Sequence, residues 1–309
     1  MLRRGLLLAS NSGVIKNMAA NAPGSRRVVA RFVPGERTAD AVRAAAELAT
    51  QGLTSTIDRL GEDVLSADQA TATVEAYLSL LQALGEAGLA DRSEVSVKLS
   101  AVGQALPRGG EFLALHNATL ICAKAAEAGT TVTLDMEDHT TTDSTLWILT
   151  ELRRDFPATG AVLQAQLRRT EGDLRDLSYL GSRIRLCKGA YQEPDSVAFT
   201  AREDIDLAYV RCLRRLIGSP AYAMVATHDP RLIEIAGTLA SRANRSKESM
   251  EYQFLYGVRP DEQRRLVAQG DRVRVYVPYG DEWYGYLVRR MAEKPANLRL
   301  FLKSLTSRR

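Results

Sequence analysis

The 309-residue sequence is poor in the residues that build the most easily recognised sites. It has three cysteines, Cys122, Cys187 and Cys212, which support neither a disulfide framework nor a Cys-x-x-Cys knuckle, so a reducing, intracellular compartment is expected. The three histidines, His116, His139 and His228, lack the spacing of a zinc-binding helix, and no metal is expected. No Gly-x-Ser-x-Gly elbow and no Gly-x-Gly-x-x-Gly turn occurs, which leaves a hydrolase triad and a Rossmann dinucleotide site unsupported. No apolar run reaches the roughly 18 residues of a membrane span. Charge of one sign is also scarce: 41 Lys and Arg against 37 Asp and Glu leave +4. The basic residues form no stripe, so no nucleic-acid partner is expected.

What is present is a long alternation of two kinds of segment, in a chain whose 45% apolar content can fill a large core. Short β-rich runs fall at residues 53–57, 94–99, 130–135, 161–167, 183–187, 222–226, 250–255 and 272–277. Longer stretches with helical spacing lie between them, for instance 67–88, 111–129 and 195–217. Ser66 and Asp68 mark one helix start, and Gly88 and Gly129 mark two ends. About eight strands, each followed by a helix, predict an α/β fold, a (β/α)8 TIM-like barrel. An open doubly wound sheet shares that arithmetic and is the alternative. Residues 1–50 read as a short N-terminal helical arm and 51–309 as the catalytic barrel. Within the arm, residues 1–21 carry Arg3, Arg4 and Lys16 and no acid, which suits a transit segment or a short amphipathic helix; the helix is the expectation. The location expected is cytoplasmic, with at most a peripheral contact on the inner membrane face.

A barrel places its reactive residues at strand C-termini. Those positions hold Glu62, Lys98, Asp135-Met136-Glu137-Asp138, Gln164, Gln166, Arg185, Lys188, Thr227-His228-Asp229, Tyr256-Gly257 and Tyr276. This concentration of charge and aromatic rings points to an enzyme. Asp135 and Glu137 could share a face, yet one such pair is thin for a metal site, and an Asp bonding a loop explains it more simply. His228 suits a base or a hydrogen-bond donor equally. Lys98 or Lys188 could form a Schiff base once its pKa is lowered, or pair with a carboxylate or phosphate. Gly189, next to Lys188, lets backbone approach an anion. Near the end, Tyr286, Arg289, Arg290 and Glu293 share one helix face. That face suits a carboxylate receptor, because the planar guanidinium binds carboxylate bidentately; it also suits a solvated face with an Arg–Glu pair.

Taken together, several strings resemble the proline dehydrogenase family, flavoenzymes built on a (β/α)8 barrel. They are Asp58-Arg59-Leu60-Gly61-Glu62, Val97-Lys98-Leu99-Ser100-Ala101, Leu134-Asp135-Met136-Glu137 and Arg185-Leu186-Cys187-Lys188-Gly189-Ala190-Tyr191. Ala226-Thr227-His228-Asp229, Glu251-Tyr252-Gln253-Phe254-Leu255-Tyr256-Gly257, Val275-Tyr276-Val277-Pro278 and the segment Tyr286 to Glu293 follow in order. The resemblance implies FAD-dependent oxidation of L-proline to Δ1-pyrroline-5-carboxylate, the first step of proline catabolism, with electrons passed to a quinone. It implies Arg289, Arg290 and Lys98 around the proline carboxylate, Tyr276, Tyr286 and Leu255 along the ring, and Glu62 pairing with Arg289. On the flavin side it implies Asp135, Met136, Gln164, Arg185, Lys188, Gly189, Ala190, Tyr191, Thr227 and His228. Asp135, Arg185 and Tyr276 are the residues closest to the chemistry, with Asp135 an organiser of the site.

Two departures stand out. Gln192 replaces a tryptophan of the longer bifunctional relatives, and the spacer between Tyr276 and Tyr286 is shorter than theirs. A monofunctional enzyme is expected, handing its product to a separate pyrroline-5-carboxylate dehydrogenase. The competing reading is a Schiff-base lyase or aldolase on the same barrel, using Lys98 or Lys188.

Overall fold

The computed structural model describes residues 29–287. Eight strands follow one another around a closed barrel: β1 (Thr54–Arg59), β2 (Ser93–Val97), β3 (Val132–Leu134), β4 (Gly160–Gln164), β5 (Arg183–Cys187), β6 (Tyr222–Ala226), β7 (Met250–Leu255) and β8 (Val273–Tyr279). All neighbours pair in parallel, and β8 returns to β1 with Thr56 opposite Tyr276. That closure excludes the open sheet. The helices are α1 (Thr38–Thr50), α2 (Ala67–Glu86), α3 (Gly110–Ala128), α4 (Thr142–Asp155), α5 (Thr170–Leu177), α6 (Arg202–Ile217), α7 (Pro230–Arg242) and α8 (Pro260–Ala268). α1 packs on β1, β8 and α2, outside the barrel wall.

Local chemistry explains the element ends. Ser66 Oγ accepts from Gln69 N at 3.3 Å and starts α2, while Asp229 caps α7 through Arg231 N at 3.1 Å with Pro230 in the first turn. Gly129, at φ +81°, ends α3 in the left-handed region. One expected start moves. Residues 195–201 are not helical, because their backbone lies along the β4–α5 connection. Phe199 N donates to Gln166 O at 2.8 Å and Arg168 N to Val197 O at 2.9 Å, so α6 begins only at Arg202.

The period of two along each strand divides the protein radially. Ile57, Val95, Leu134, Leu163, Leu186, Val225 and Val275 are buried in the apolar core between sheet and helices. Their alternates face inward, and in most strands these are polar. Arg183 on β5 reaches Glu94 on β2, and Arg185 on β5 reaches Ser96 on β2, contacts that only the barrel interior permits. Barrel interiors are usually packed with branched apolar residues. This one is charged.

Candidate active site

A cavity of about 1200 Å³ opens where the strands end. Of the described residues to which the resemblance gives a site role, all but Gln164 line it: Glu62, Lys98, Asp135, Met136, Arg185, Lys188, Gly189, Ala190, Tyr191, Thr227, His228, Leu255, Tyr276 and Tyr286; the strand-end residues Glu137, Asp138, Gln166, Tyr256 and Gly257 do not. Gln164 is buried beside it, with Nε2 donating to Glu137 O at 2.5 Å and Oε1 without a partner among the described residues. Arg289 and Arg290 lie outside the described residues, as does the arm's expected helix at 1–21.

Asp135 is the hub of the inner wall. Its Oδ1 accepts from Ser96 Oγ and from Arg185 Nη1, both at 2.8 Å, and its Oδ2 accepts from Tyr276 OH at 2.6 Å. These donors come from β2, β5 and β8, so closing the barrel is what assembles them. Arg185 is held twice more: Nε donates to Gln253 Oε1 at 2.6 Å, and the guanidinium lies 5.3 Å from the centre of the Tyr276 ring. Burial, then the Asp135 charge, push the Tyr276 phenol well above its usual range, so its hydroxyl stays a donor.

Lys98 follows β2 and turns toward β1. Its Nζ donates to both carboxylate oxygens of Asp58, at 2.8 and 2.7 Å, and stands 4.0 Å from Asp135 Oδ2. Burial works against the ammonium, but Asp58, Asp135 and Glu62 outweigh it and hold Lys98 above the usual lysine range. Burial also lifts Asp58 to about 6, against the pull of Lys98. A Schiff-base lysine needs a neutral amine, so this charged Lys98 disfavours the lyase reading.

The rim is organised from three loops. Lys188 pairs with Asp206 and lies 3.5 Å from Asp229, whose pKa is drawn down to about 2 chiefly by the Arg231 hydrogen bond. His228 Nε2 accepts from Leu255 N at 3.0 Å, so a neutral ring carries its proton on Nδ1. Asp135 and Glu137 part company: Glu137 accepts from Ser100 N at 3.0 Å and Ser100 Oγ at 2.5 Å, and burial raises its pKa to about 7.

Three contributors went unassigned from sequence: Asp58, Ser96 and Gln253. A usable signal existed, since Thr56/Asp58, Glu94/Ser96/Lys98, Arg183/Arg185, Glu251/Gln253 and Arg274/Tyr276 all alternate with apolar residues. Polar positions at a period of two in barrel strands mark the inward face.

A closed β/α barrel whose mouth gathers lysine, arginine, carboxylate and tyrosine around one deep cavity defines an enzyme acting on a small molecule. Comparison with known proteins narrows this. The profile of the proline dehydrogenase family matches residues 41–301. The chain is 42% identical over 269 residues to the proline dehydrogenase of Deinococcus radiodurans, covering 86% of each. It is 36% identical to proline dehydrogenase 2 of Bacillus subtilis, covering 98% of both chains. Among solved structures, proline utilization A (PutA) from Bdellovibrio bacteriovorus inactivated by N-propargylglycine superposes with a TM-score of 0.80 at 25% identity. That match spans 87% of this chain and 33% of the PutA chain. The chain belongs to the proline dehydrogenase family, and it is an oxidoreductase of proline catabolism.

Proposed function

We propose that the protein oxidises L-proline to Δ1-pyrroline-5-carboxylate with FAD as cofactor and a quinone as final acceptor. One observation carries the reading: Arg185, bonded to Asp135 and covered by Tyr276, forms the wall of a cavity far larger than proline requires. Ordinary small-molecule pockets run to roughly 300–1,000 Å³. The surrounding groups suit a flavin dinucleotide. Gln164 Oε1 is a buried acceptor with no partner among the described residues. At Gly189, φ is +111° and an added Cβ would meet Gln166 at 2.3 Å, so the turn after β5 stays bare backbone beside the Lys188 cation. Such turns admit phosphate.

When bound, FAD supplies the two-electron acceptor for hydride from C5 of proline. The chain's own residues do the rest. Lys98, Arg289 and Arg290 bind the carboxylate, Tyr276, Tyr286 and Leu255 hold the ring, and Glu62 closes the site by pairing with Arg289. The nitrogen lone pair must be available, and the Lys98 and Arg185 cations make a protonated amine unwelcome beside them. Arg185 also favours negative charge building up on the acceptor. Asp135 keeps Arg185 and Tyr276 oriented, while Met136, Gln164, Lys188, Gly189, Ala190, Tyr191, Thr227 and His228 contact the cofactor. The match to nearly the whole Bacillus relative, against 23% of the bifunctional PutA of Escherichia coli, supports a product handed to a separate pyrroline-5-carboxylate dehydrogenase. No described helix is long and apolar enough to cross a membrane, which suits delivery of electrons to quinone through a peripheral contact.

The decisive experiment is anaerobic. The purified protein should be yellow, bleach with L-proline, release a cyclic imine and regain colour with a soluble quinone. A colourless protein, or a yellow one that proline leaves unchanged, overturns the reading.

A further inference from the structure

Gln253 stands on β7 between two charged layers and is 4% exposed. Its Oε1 accepts from Arg185 Nε and its Nε2 donates to Glu251 Oε1, both at 2.6 Å. Glu251 is anchored in turn by Arg274 Nε at 2.7 Å and Tyr222 OH at 3.0 Å. These neighbours dictate which way the amide points. A guanidinium can only donate, so the amide oxygen faces Arg185 and the amino group faces the carboxylate.

A guanidinium held through Nη1 alone can pivot about that contact. Ser96 and Asp135 grip only Nη1 of Arg185. Gln253 supplies the second fixed point at Nε, and the Tyr276 ring covers one face. Two points and a face determine the plane. A carboxylate at position 253 could supply the same point, but it would add a further negative charge to those of Asp135 and of Glu94, whose Oε1 lies 3.6 Å from Arg185 Nη2. Arg274 is held in that way, directly by Glu251. Glutamine locks without neutralising.

We propose that Gln253 is a positioning residue that fixes the Arg185 guanidinium beside the hydride acceptor while preserving its charge. The proposal rests on the flavin reading above, and its test separates the two. In Gln253→Met, a crystal structure of the purified protein should show the Arg185 guanidinium pivoted about its Nη1 contacts, with Nε displaced and its plane turned off the Tyr276 ring. Rapid mixing with L-proline should show flavin reduction slowed about 10- to 100-fold, the cost of misplacing a group by about an ångström. The proline dissociation constant in the same titrations should stay within about twofold of wild type. The flavin midpoint potential should fall by about 30 mV, a tenfold change in a two-electron equilibrium.

Gln253→Glu, nearly isosteric, guards against a folding defect. Its introduced carboxyl can donate to Glu251 only while protonated. Measured relative to wild type at the same pH, potential and reduction rate should therefore approach wild type at low pH and fall below it as pH rises. If the Arg185 guanidinium keeps its wild-type plane in Gln253→Met and the potential and rate are unmoved, the proposal is overturned and the flavin reading survives. If L-proline fails to reduce wild type, the flavin reading falls. The position of Arg185 in the variant still decides whether Gln253 is its lock.

Discussion

Inside the barrel two charged layers lie one above the other, and they use the same inventory differently. The floor holds Glu94, Glu251, Arg183 and Arg274; the mouth holds Asp58, Asp135, Lys98 and Arg185. Each layer pairs two acids with two cations. On the floor the partners meet directly: Arg183 bonds Glu94 at 2.5 Å, Arg274 bonds Glu251 at 2.7 Å, and Thr56 and Thr133 complete the Glu94 shell at 2.8 and 3.2 Å. Burial penalises the Glu94 charge, yet Arg183, Arg274 and Arg185 outweigh it and hold the carboxyl well below its usual range. None of these floor residues lines the cavity. At the mouth all four charges line it, and the neutral groups Ser96, Gln253 and Tyr276 share in holding them. Both layers pair directly, at the mouth Lys98 with Asp58 and Arg185 with Asp135. The mouth differs in adding neutral links and in opening its charged groups to a ligand.

Cutting one pair in each layer tests this division. Glu94→Gln leaves Arg183 and Arg274 short of a buried partner and should cost about 3–5 kcal/mol in chemical denaturation, the usual penalty for halving a buried ion pair. A loss under about 1 kcal/mol would mean that water reaches the floor. On the ligand side, Arg290→Met should weaken proline binding by about 2–4 kcal/mol with FAD retained, because a buried carboxylate loses a partner. Loss of FAD with unchanged proline affinity would reverse the assignment of the two binding shells.

The mouth should also carry a pH signature. Burial raises Glu137 from 4.5 to about 7. A carboxyl raised on folding adds stability that is fully present below its unfolded pKa and is lost as pH rises through its folded one. The stability of wild type relative to Glu137→Gln should therefore decline by about 3 kcal/mol between the two values. A flat difference across that window would show the group ionised at little cost. The smallest effect expected is from Asp58→Asn, about 1 kcal/mol of stability, since Asp135 still faces the Lys98 ammonium at 4.0 Å and burial already disfavours the Asp58 charge. Its apparent proline affinity should fall as well. A stability loss matching that of Glu94→Gln would erase the distinction between the layers.

Much of the architecture was legible in the chain because periodicity reports burial directly. The eight runs, Ser66 as a cap and Gly129 as a helix end all correspond to observed features. The helix start placed at 195 failed because pairing of residues 197–199 with 166–168 is a tertiary contact that composition does not encode. At the site, residues just past strand ends, such as Lys98, Asp135 and Lys188, could be read off because a parallel barrel sends every strand end to one rim. For Gln253 and Asp58, which lie within strands, alternation marks the inward face, but their roles come only from the partners opposite them.

By itself the sequence determined the strand count, the inward polarity of alternate positions and the set of charged residues available at the rim, because each depends on spacing along one segment. The tertiary structure decided which charge meets which. Asp58 finds Lys98 on the neighbouring strand, while Asp135 meets Arg185 and Tyr276 from strands far apart in the chain. Those meetings depend on barrel closure and on the stagger between strands, and a stretch of one-dimensional pattern carries neither.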